Sequence, residues 1–336
     1  MITYTIRRLL VAIPVMLGIT VLLFILVNIT PNGGPLAAYV GPGHHITPQQ
    51  FAAIKHRFGL DQPLPVRYFL WLKAIVHGDF GNSTQTGQPV NVELAHRLPP
   101  TIMLIGTSYI LQELIALPLG MFSALRRYSL FDQIFTVLSY IGLSLPTFWF
   151  GLMMIMAFGV FFPIFPFSGM VNLRVSPPWG TSAYNAYFAA HPIAAILDIA
   201  RHMALPVIVL ATVGIAVDSR FMRASMLDII NMDYIRTARA KGLPNRVVIF
   251  KHALRNAVLP IVTNIGLYLP SLLGGAIVTE QIFSWPGMGA FFVAAASSSD
   301  FPVVLAYTTI LAAATIIANL LTDLSYAFID PRIQYS

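Results

Sequence analysis

Residues 9–29 read Leu9-Leu-Val-Ala-Ile-Pro-Val-Met-Leu-Gly-Ile-Thr-Val-Leu-Leu-Phe-Ile-Leu-Val-Asn-Ile29, without one charged side chain. As a helix rising 1.5 Å per residue, this stretch would extend about 31 Å, enough to cross a hydrocarbon core of ~30 Å. Arg7 and Arg8 stand directly before it. A cleaved signal peptide would carry an apolar run of only about 7–15 residues, followed by a small-x-small cleavage site. The run here is longer and no clear site follows. The stretch is read as an uncleaved first membrane span.

The rest of the chain has the composition that such a span implies. Hydrophobic residues make up 57% of the 336 and charged residues only 10%, against about 25% charged in a soluble domain. The mean hydropathy is +0.74. Too little polar surface is available to keep a chain of this size dissolved, so much of its surface must face lipid. Cysteine is absent, which excludes disulfides and thiol-ligated metals. The net charge of +7 would suit nucleic acid or an anionic membrane, and the positions of the charges favour the membrane.

Five further spans are expected at about Thr101–Ala124, Ile134–Phe161, His202–Val217, Val258–Thr279 and Val303–Tyr326. The fourth is short and ends at Asp218. Pro118 and Pro146 lie inside the second and third, where proline implies a kink with its freed carbonyl satisfied locally. With the N-terminus in the cytoplasm, 13 of the 20 basic residues fall inside. Eight of these (Arg220, Arg223, Arg236, Arg239, Lys241, Arg246, Lys251 and Arg255) lie between the fourth and fifth spans. Five of the seven outside share one long loop, and long translocated loops obey the charge rule weakly. The expected topology is six spans, N-in and C-in.

That long outer loop, 31–100, is expected to be folded. Thr47-Pro48 offers an N-cap and a first-turn proline; Phe51, Ile54 and Phe58 recur at helical spacing, and Gly59 can close the helix. Val66–Val76, with Arg67 and Lys73, is too short to cross and suits a helix lying on the outer surface.

The most informative cytoplasmic piece is 218–260. It contains Asp233-Tyr-Ile-Arg-Thr-Ala-Arg-Ala-Lys-Gly242-Leu-Pro244. Asp233 would sit at the positive end of a short helix and Arg239 and Lys241 at its negative end. Gly242 fits a left-handed stop, and Pro244 cannot continue the helix. A second basic helix is expected over about 245–256, leading to Leu259-Pro260. Two capped helices under a polytopic protein form a rigid handle, useful if another protein grips it. The plainer reading is a basic connector that only anchors topology.

The segment resembles the cytoplasmic coupling motif (the EAA loop) of ATP-binding-cassette (ABC) importer permeases. Arg236-Thr237-Ala238 occupies the Glu-Ala-Ala triplet, Gly242 the glycine, and Leu259-Pro260 the later pair. The Arg in place of Glu, and the late Leu-Pro, look like the dipeptide/oligopeptide branch, as does His252-Ala-Leu-Arg-Asn256. Four further stretches resemble that branch in order: His77-Gly-Asp-Phe-Gly-Asn-Ser83, Thr279-Glu-Gln-Ile-Phe-Ser-Trp-Pro-Gly-Met-Gly289, Asp300-Phe-Pro-Val-Val304 and Asp330-Pro-Arg332. The long loop after the first span is characteristic of its B-type subunit.

The resemblance implies an all-α polytopic protein with a type I ABC importer (MetI-like) permease core. Its parts would be the first helix (1–30), the extracytoplasmic loop region (31–100), a five-helix core (101–328, with coupling loop 218–257) and a cytoplasmic tail (329–336). It implies a bacterial inner-membrane location and four kinds of partner contact: a second, C-type permease, two cytoplasmic ATPases, an extracytoplasmic solute-binding protein and the lipid bilayer, with no nucleic acid. Asp233, Tyr234, Ile235, Arg236, Thr237, Ala238, Arg239, Ala240, Lys241 and Gly242 would be the helix one ATPase grips. Cargo would be dipeptides or oligopeptides, with nickel, glutathione or oligosaccharide as the alternatives.

No catalytic residues are expected. The chain has no Gly-Lys pair, hence no phosphate-binding G-x-x-x-x-G-K-[ST] loop, and neither H-E-x-x-H nor G-x-S-x-G. ATP and Mg would belong to partner subunits, and this chain would hold no cofactor. Glu113, mid-span beside Gln112, is either a pathway residue or a packed, hydrogen-bonded one. In the pathway role it could also serve an ion-gradient transporter. Glu280 borders the outer face, within reach of a pathway mouth. Asp218 and Asp323 are read as solvated or paired with nearby Arg. His44, His45 and His56 are read as surface residues, not a metal site. Ser271, Gly275 and Thr279 form a small-xxx-small stripe for close helix packing.

Overall fold

The structure is a computed structural model that describes residues 2–29, 47, 49, 61–261, 270–272 and 274–329, with 2–6, 9 and 323–329 in backbone only. The expected helix over 51–58, His44, His45, His56 and Asp330-Pro-Arg332 lie outside the described residues, as do the masked residues of the fifth span.

The elements in chain order are α1 (Ile2–Ile29), α2 (Leu64–Val76), α3 (Val90–Leu125), α4 (Leu130–Ser144), α5 (Thr147–Met154) running into a π-helical stretch (Ile155–Phe161), α6 (Ser182–Ala190) and α7 (Pro192–Ile230). The short α8 (Asp233–Ala240) follows, then α9 (Asn245–Val247), a π-helical stretch (Val248–Ala253) and α10 (Leu254–Ala257). The last described elements are α11 (Ile277–Ile282), α12 (Met288–Ser297) and α13 (Phe301–Ile329). Among the described residues there is no strand, only an isolated bridge between Asn82 and Pro89.

Among the described residues four helices are long and apolar enough to cross a membrane: the Leu10–Ile29 part of α1, α3, α7 and the Phe301–Thr322 part of α13. The pair of α4 and the helix over 147–161 makes a fifth if counted as one crossing. Here the expected kinked span differs from the fold. The two halves meet at 101°, because the residue before a proline is driven out of the α region. Leu145 is extended (φ −74°, ψ 121°), and Pro146 is the N-cap of α5, not a residue within a helix.

The expected fourth span also changes. It does not stop at Asp218: α7 runs 39 residues, about 58 Å. α3 runs 36 residues, about 54 Å, and starts at Val90, well ahead of the expected Thr101. Both exceed the ~30 Å hydrocarbon thickness, and among the described residues they form the most extensive helix pair. The two rods therefore join the opposite ends of the protein. One end, rich in Arg and Lys, carries α8 and its neighbours; the other gathers the loops 77–89, 162–181 and 283–300.

α1 packs against α13. α2 docks on the second half of α1: Tyr68 and Trp71 lie 5.6 and 5.4 Å from the Phe24 ring, the Tyr68 hydroxyl meets Thr20 at 2.9 Å, and Arg67 donates to Asn28. None of its residues is buried, and Leu64, Val66, Phe69 and Leu70 point outward. The expected small-residue stripe is not on one helix, because helical structure is interrupted at Gly275 and Ala276.

Candidate functional site

α8 has the local design that its sequence anticipates. Asp233 is in the first turn and Arg239 in the last. The helix ends in a pair of bonds that define a Schellman motif: the Gly242 N–H donates to Arg239 O at 2.9 Å, and the Leu243 N–H to Ala238 O at 3.4 Å. Gly242 has φ +74° with open space where a side chain would begin, so glycine is there for its backbone conformation alone.

Two faces divide α8. Ile235 and Ala238, three apart and hence on one face, are buried. They join Met121 and Ala124 of α3, Met222 and Met226 of α7, and Val248, Ala253, Ala257 and Ile261 in one apolar cluster. Tyr234, Arg236, Thr237, Arg239, Ala240, Lys241 and Gly242 are exposed. So are Met232, Leu243 and Phe250, apolar side chains around the same surface. The Arg236–Asp233 ion pair (3.5 Å) is open to solvent and contributes little. Asn256 donates to the Tyr234 hydroxyl at 3.0 Å, tying α8 to the segment 245–257. This second segment matches the expected helix in extent, with an unexpected π-helical centre.

An ion pair that sequence reading missed lies beside this cluster, one residue on from Met222. Arg223 of α7 grips Asp132 of α4 with two guanidinium nitrogens, Nε donating at 2.7 Å and Nη2 at 2.8 Å. Ser123 of α3 donates to the same carboxylate, and the Tyr128 N–H adds a 2.9 Å bond. Three helices thus meet on one buried carboxylate. The local sequence gives only the N-cap: Ser129 Oγ accepts the Asp132 N–H at 3.3 Å, which sets Asp132 in the first turn of α4 but carries no sign of Arg223.

About two-thirds of the way along α3 sits Glu113. Its neighbour Gln112 donates from one amide nitrogen both to Glu113 Oε1 at 3.3 Å and to the Asp218 carboxylate of α7. Asp218 is buried, which corrects its reading as solvated or Arg-paired; the extension of α7 past it is the reason. Glu113 Oε2 is buried without a hydrogen bond. Asp323 lies in α13, its side chain outside the described residues.

Glu280 belongs to the opposite end and is fully buried. Its carboxylate does not face an open mouth; it accepts from Thr101 Oγ1 (2.9 Å), the Ala276 N–H (3.3 Å) and the Ala290 N–H (2.9 Å). A Cβ on Gly287 would come within 2.5 Å of it, so that glycine is needed for close approach. The Met288 N–H donates back to Thr101 at 2.7 Å, and Trp285 Nε1 to Pro100 O at 2.9 Å. Stretch 279–289 is thereby stapled to α3 at Pro100-Thr101, about three turns into the helix. A second staple links the other two outer stretches: Ser83 and the Thr84 N–H (3.1 Å) both donate to Asp300, which is buried. Phe80 packs into the cluster of Val90, Leu94, Met288, Val303 and Tyr307. Three stretches spread over more than 200 residues converge in one structure.

Among the described residues no group of three His, Cys, Asp or Glu side chains could hold a metal ion.

The comparisons with known proteins agree with this anatomy. A profile of the family described as "Binding-protein-dependent transport system inner membrane component" matches residues 116–335. The companion profile, "Binding-prot-dependent transport system membrane comp, N-term", matches residues 1–105. The chain is 43% identical over 336 residues to the oligopeptide transport system permease protein AppB of Bacillus subtilis (strain 168), covering 100% of both chains. It is 39% identical over 340 residues to the dipeptide transport system permease protein DppB of Escherichia coli (strain K12), covering 100% of this chain and 99% of the relative. It is 38% identical over 337 residues to the di/tripeptide transport system permease protein DppB of Pseudomonas aeruginosa (strain UCBPP-PA14), covering 100% and 99%.

Proposed function

We propose, because the chain belongs to the family of binding-protein-dependent transport system inner membrane components, that it is the B-type permease subunit of an ABC importer carrying dipeptides and oligopeptides inward. The observation that carries the cargo assignment is full-length identity of 38–43% to permeases named for oligopeptide, dipeptide and di/tripeptide transport. ATP hydrolysis falls to separate subunits.

The geometry supports a mechanical role. α8 turns Ile235 and Ala238 into the rods α3 and α7 and leaves Tyr234, Arg236, Arg239 and Lys241 for a partner. In this reading one cytoplasmic ATPase seats that exposed face in a groove, with Met232, Leu243 and Phe250 at its edges. A C-type permease offers the second handle to a second ATPase. Closure of the ATPase pair on ATP draws the handles together. Because α3 and α7 extend without interruption to the stapled stretches at the far end, displacement at one end rotates the other. Nucleotide drives the change only through its differential affinity for the two states. An extracytoplasmic binding protein delivers peptide to the outer end.

The same reading takes six crossings with both termini in the cytoplasm: α1, α3, the bent pair around Pro146, α7, the span expected over 258–279, and α13. Reconstitution tests the function. This chain with its C-type partner, two ATPases and a peptide-binding protein should accumulate labelled dipeptide in proteoliposomes only with ATP. Accumulation by this chain alone, driven by an ion gradient, would refute it.

A further inference from the structure

A cleft of about 330 Å³ opens at the outer end, lined by Gln88, Val92, Glu93, His96, Arg97, Trp179, Gly180 and Pro286. Its floor is the first turns of α3. One wall is Trp179-Gly180 of the loop 162–181, the other Pro286 of the stapled stretch 279–289. Small-ligand sites run from ~300 to 1,000 Å³, so this one is at the small end of that range.

The charges in it are arranged unusually. Glu93 and Arg97 are four residues apart on one helix, the spacing at which such residues ordinarily pair. They do not pair here. The Arg97 guanidinium instead lies over the Phe291 ring, 5.1 Å from its centre. Neither charged side chain, nor that of His96, makes an ion pair or hydrogen bond among the described residues. A carboxylate and a held guanidinium are thus presented separately, from backbone positions about 6 Å apart along the helix axis, beside the Trp179 indole.

We infer that this cleft is a transient subsite for a short zwitterionic peptide, Glu93 receiving its ammonium end and Arg97, with His96, its carboxylate. Two extended residues span about 7 Å, close to the ~6 Å rise between the backbone positions of Glu93 and Arg97 on α3. Trp179 supplies a flat apolar wall that tolerates different side chains. The inference rests on the peptide-importer reading and adds where, on this chain, cargo first meets the permease. A flat protein face would meet the rim of this surface and leave the concave floor unfilled; a small molecule reaches the floor.

The test uses the full transporter in proteoliposomes, with a radiolabelled alanine–phenylalanine dipeptide as probe. Two rates are read: dipeptide uptake, and ATP hydrolysis stimulated by the loaded binding protein. Glu93→Gln and Arg97→Gln should each lower uptake about ten-fold, the effect of one lost charge-assisted hydrogen bond. Stimulated hydrolysis should stay within about two-fold of wild type, and Arg97→Lys should recover much of the uptake. A parallel loss of both rates would make this surface part of the binding-protein dock and overturn the subsite. Unchanged uptake in both Gln variants would overturn it as well. If the wild-type assembly moves no dipeptide at all, the cargo reading falls and the subsite falls with it.

Discussion

Single atoms decide two of the structural assignments. At Gly242 the backbone is left-handed and the surroundings are empty, so a side chain there meets strain, not a clash. Valine should cost about 2 kcal/mol and loosen the α8 terminus, whereas asparagine accepts this conformation. Gly242→Val should therefore reduce ATP-driven peptide uptake with normal amounts of protein in the membrane, and Gly242→Asn should stay near wild type. Normal uptake by the valine variant would mean the handle is misplaced. Glu280 offers the opposite case: its oxygens face only donors. In Glu280→Gln an amide N–H replaces one acceptor and opposes another donor. The expected loss is about 1–3 kcal/mol, read as a lower melting temperature of the purified protein. A melting temperature equal to wild type would remove Glu280 as the organiser of this end.

Among the elements, the junction of α3, α4 and α7 on Asp132 should carry more energy than its exposed counterpart at Asp233–Arg236. Arg223→Ala leaves a buried carboxylate facing only Ser123 and the Tyr128 N–H, at a cost of about 3 kcal/mol. Adding Asp132→Asn removes the stranded charge, so the double variant should melt higher than Arg223→Ala alone. If the two effects simply add, the pair is not coupled as its geometry indicates. The break at Leu145-Pro146 belongs to this scale too. Hydropathy alone reads 134–161 as one span; the backbone restriction imposed by proline turns it into two helices at 101°.

At the scale of the whole molecule, the two long rods α3 and α7 carry α8 at one end and the stapled loops at the other. Because the chain has no cysteine, single introduced thiols report sidedness without background. Lys241→Cys, on the exposed face of the handle, should react with a membrane-impermeant maleimide only in inside-out vesicles. Arg174→Cys, in the exposed loop 162–181, should react only in right-side-out cells. Labelling of both from the same side would contradict the crossing pattern.

The sequence by itself determined the membrane class, through composition and apolar run length, and the helix-stop at Gly242, through local backbone chemistry. It also gave the family, since the ordered motifs are local strings. Those signals are short-range: each depends on a few consecutive residues. What only the tertiary structure decided is which distant residues meet. Nothing near Asp132 announces Arg223, and nothing near Ser83 announces Asp300, because the partners lie 91 and 217 residues away. The inward turn of Glu280 was equally hidden. A carboxylate's burial depends on the donors that the fold brings to it, here the Thr101 hydroxyl and the backbone of a neighbouring turn.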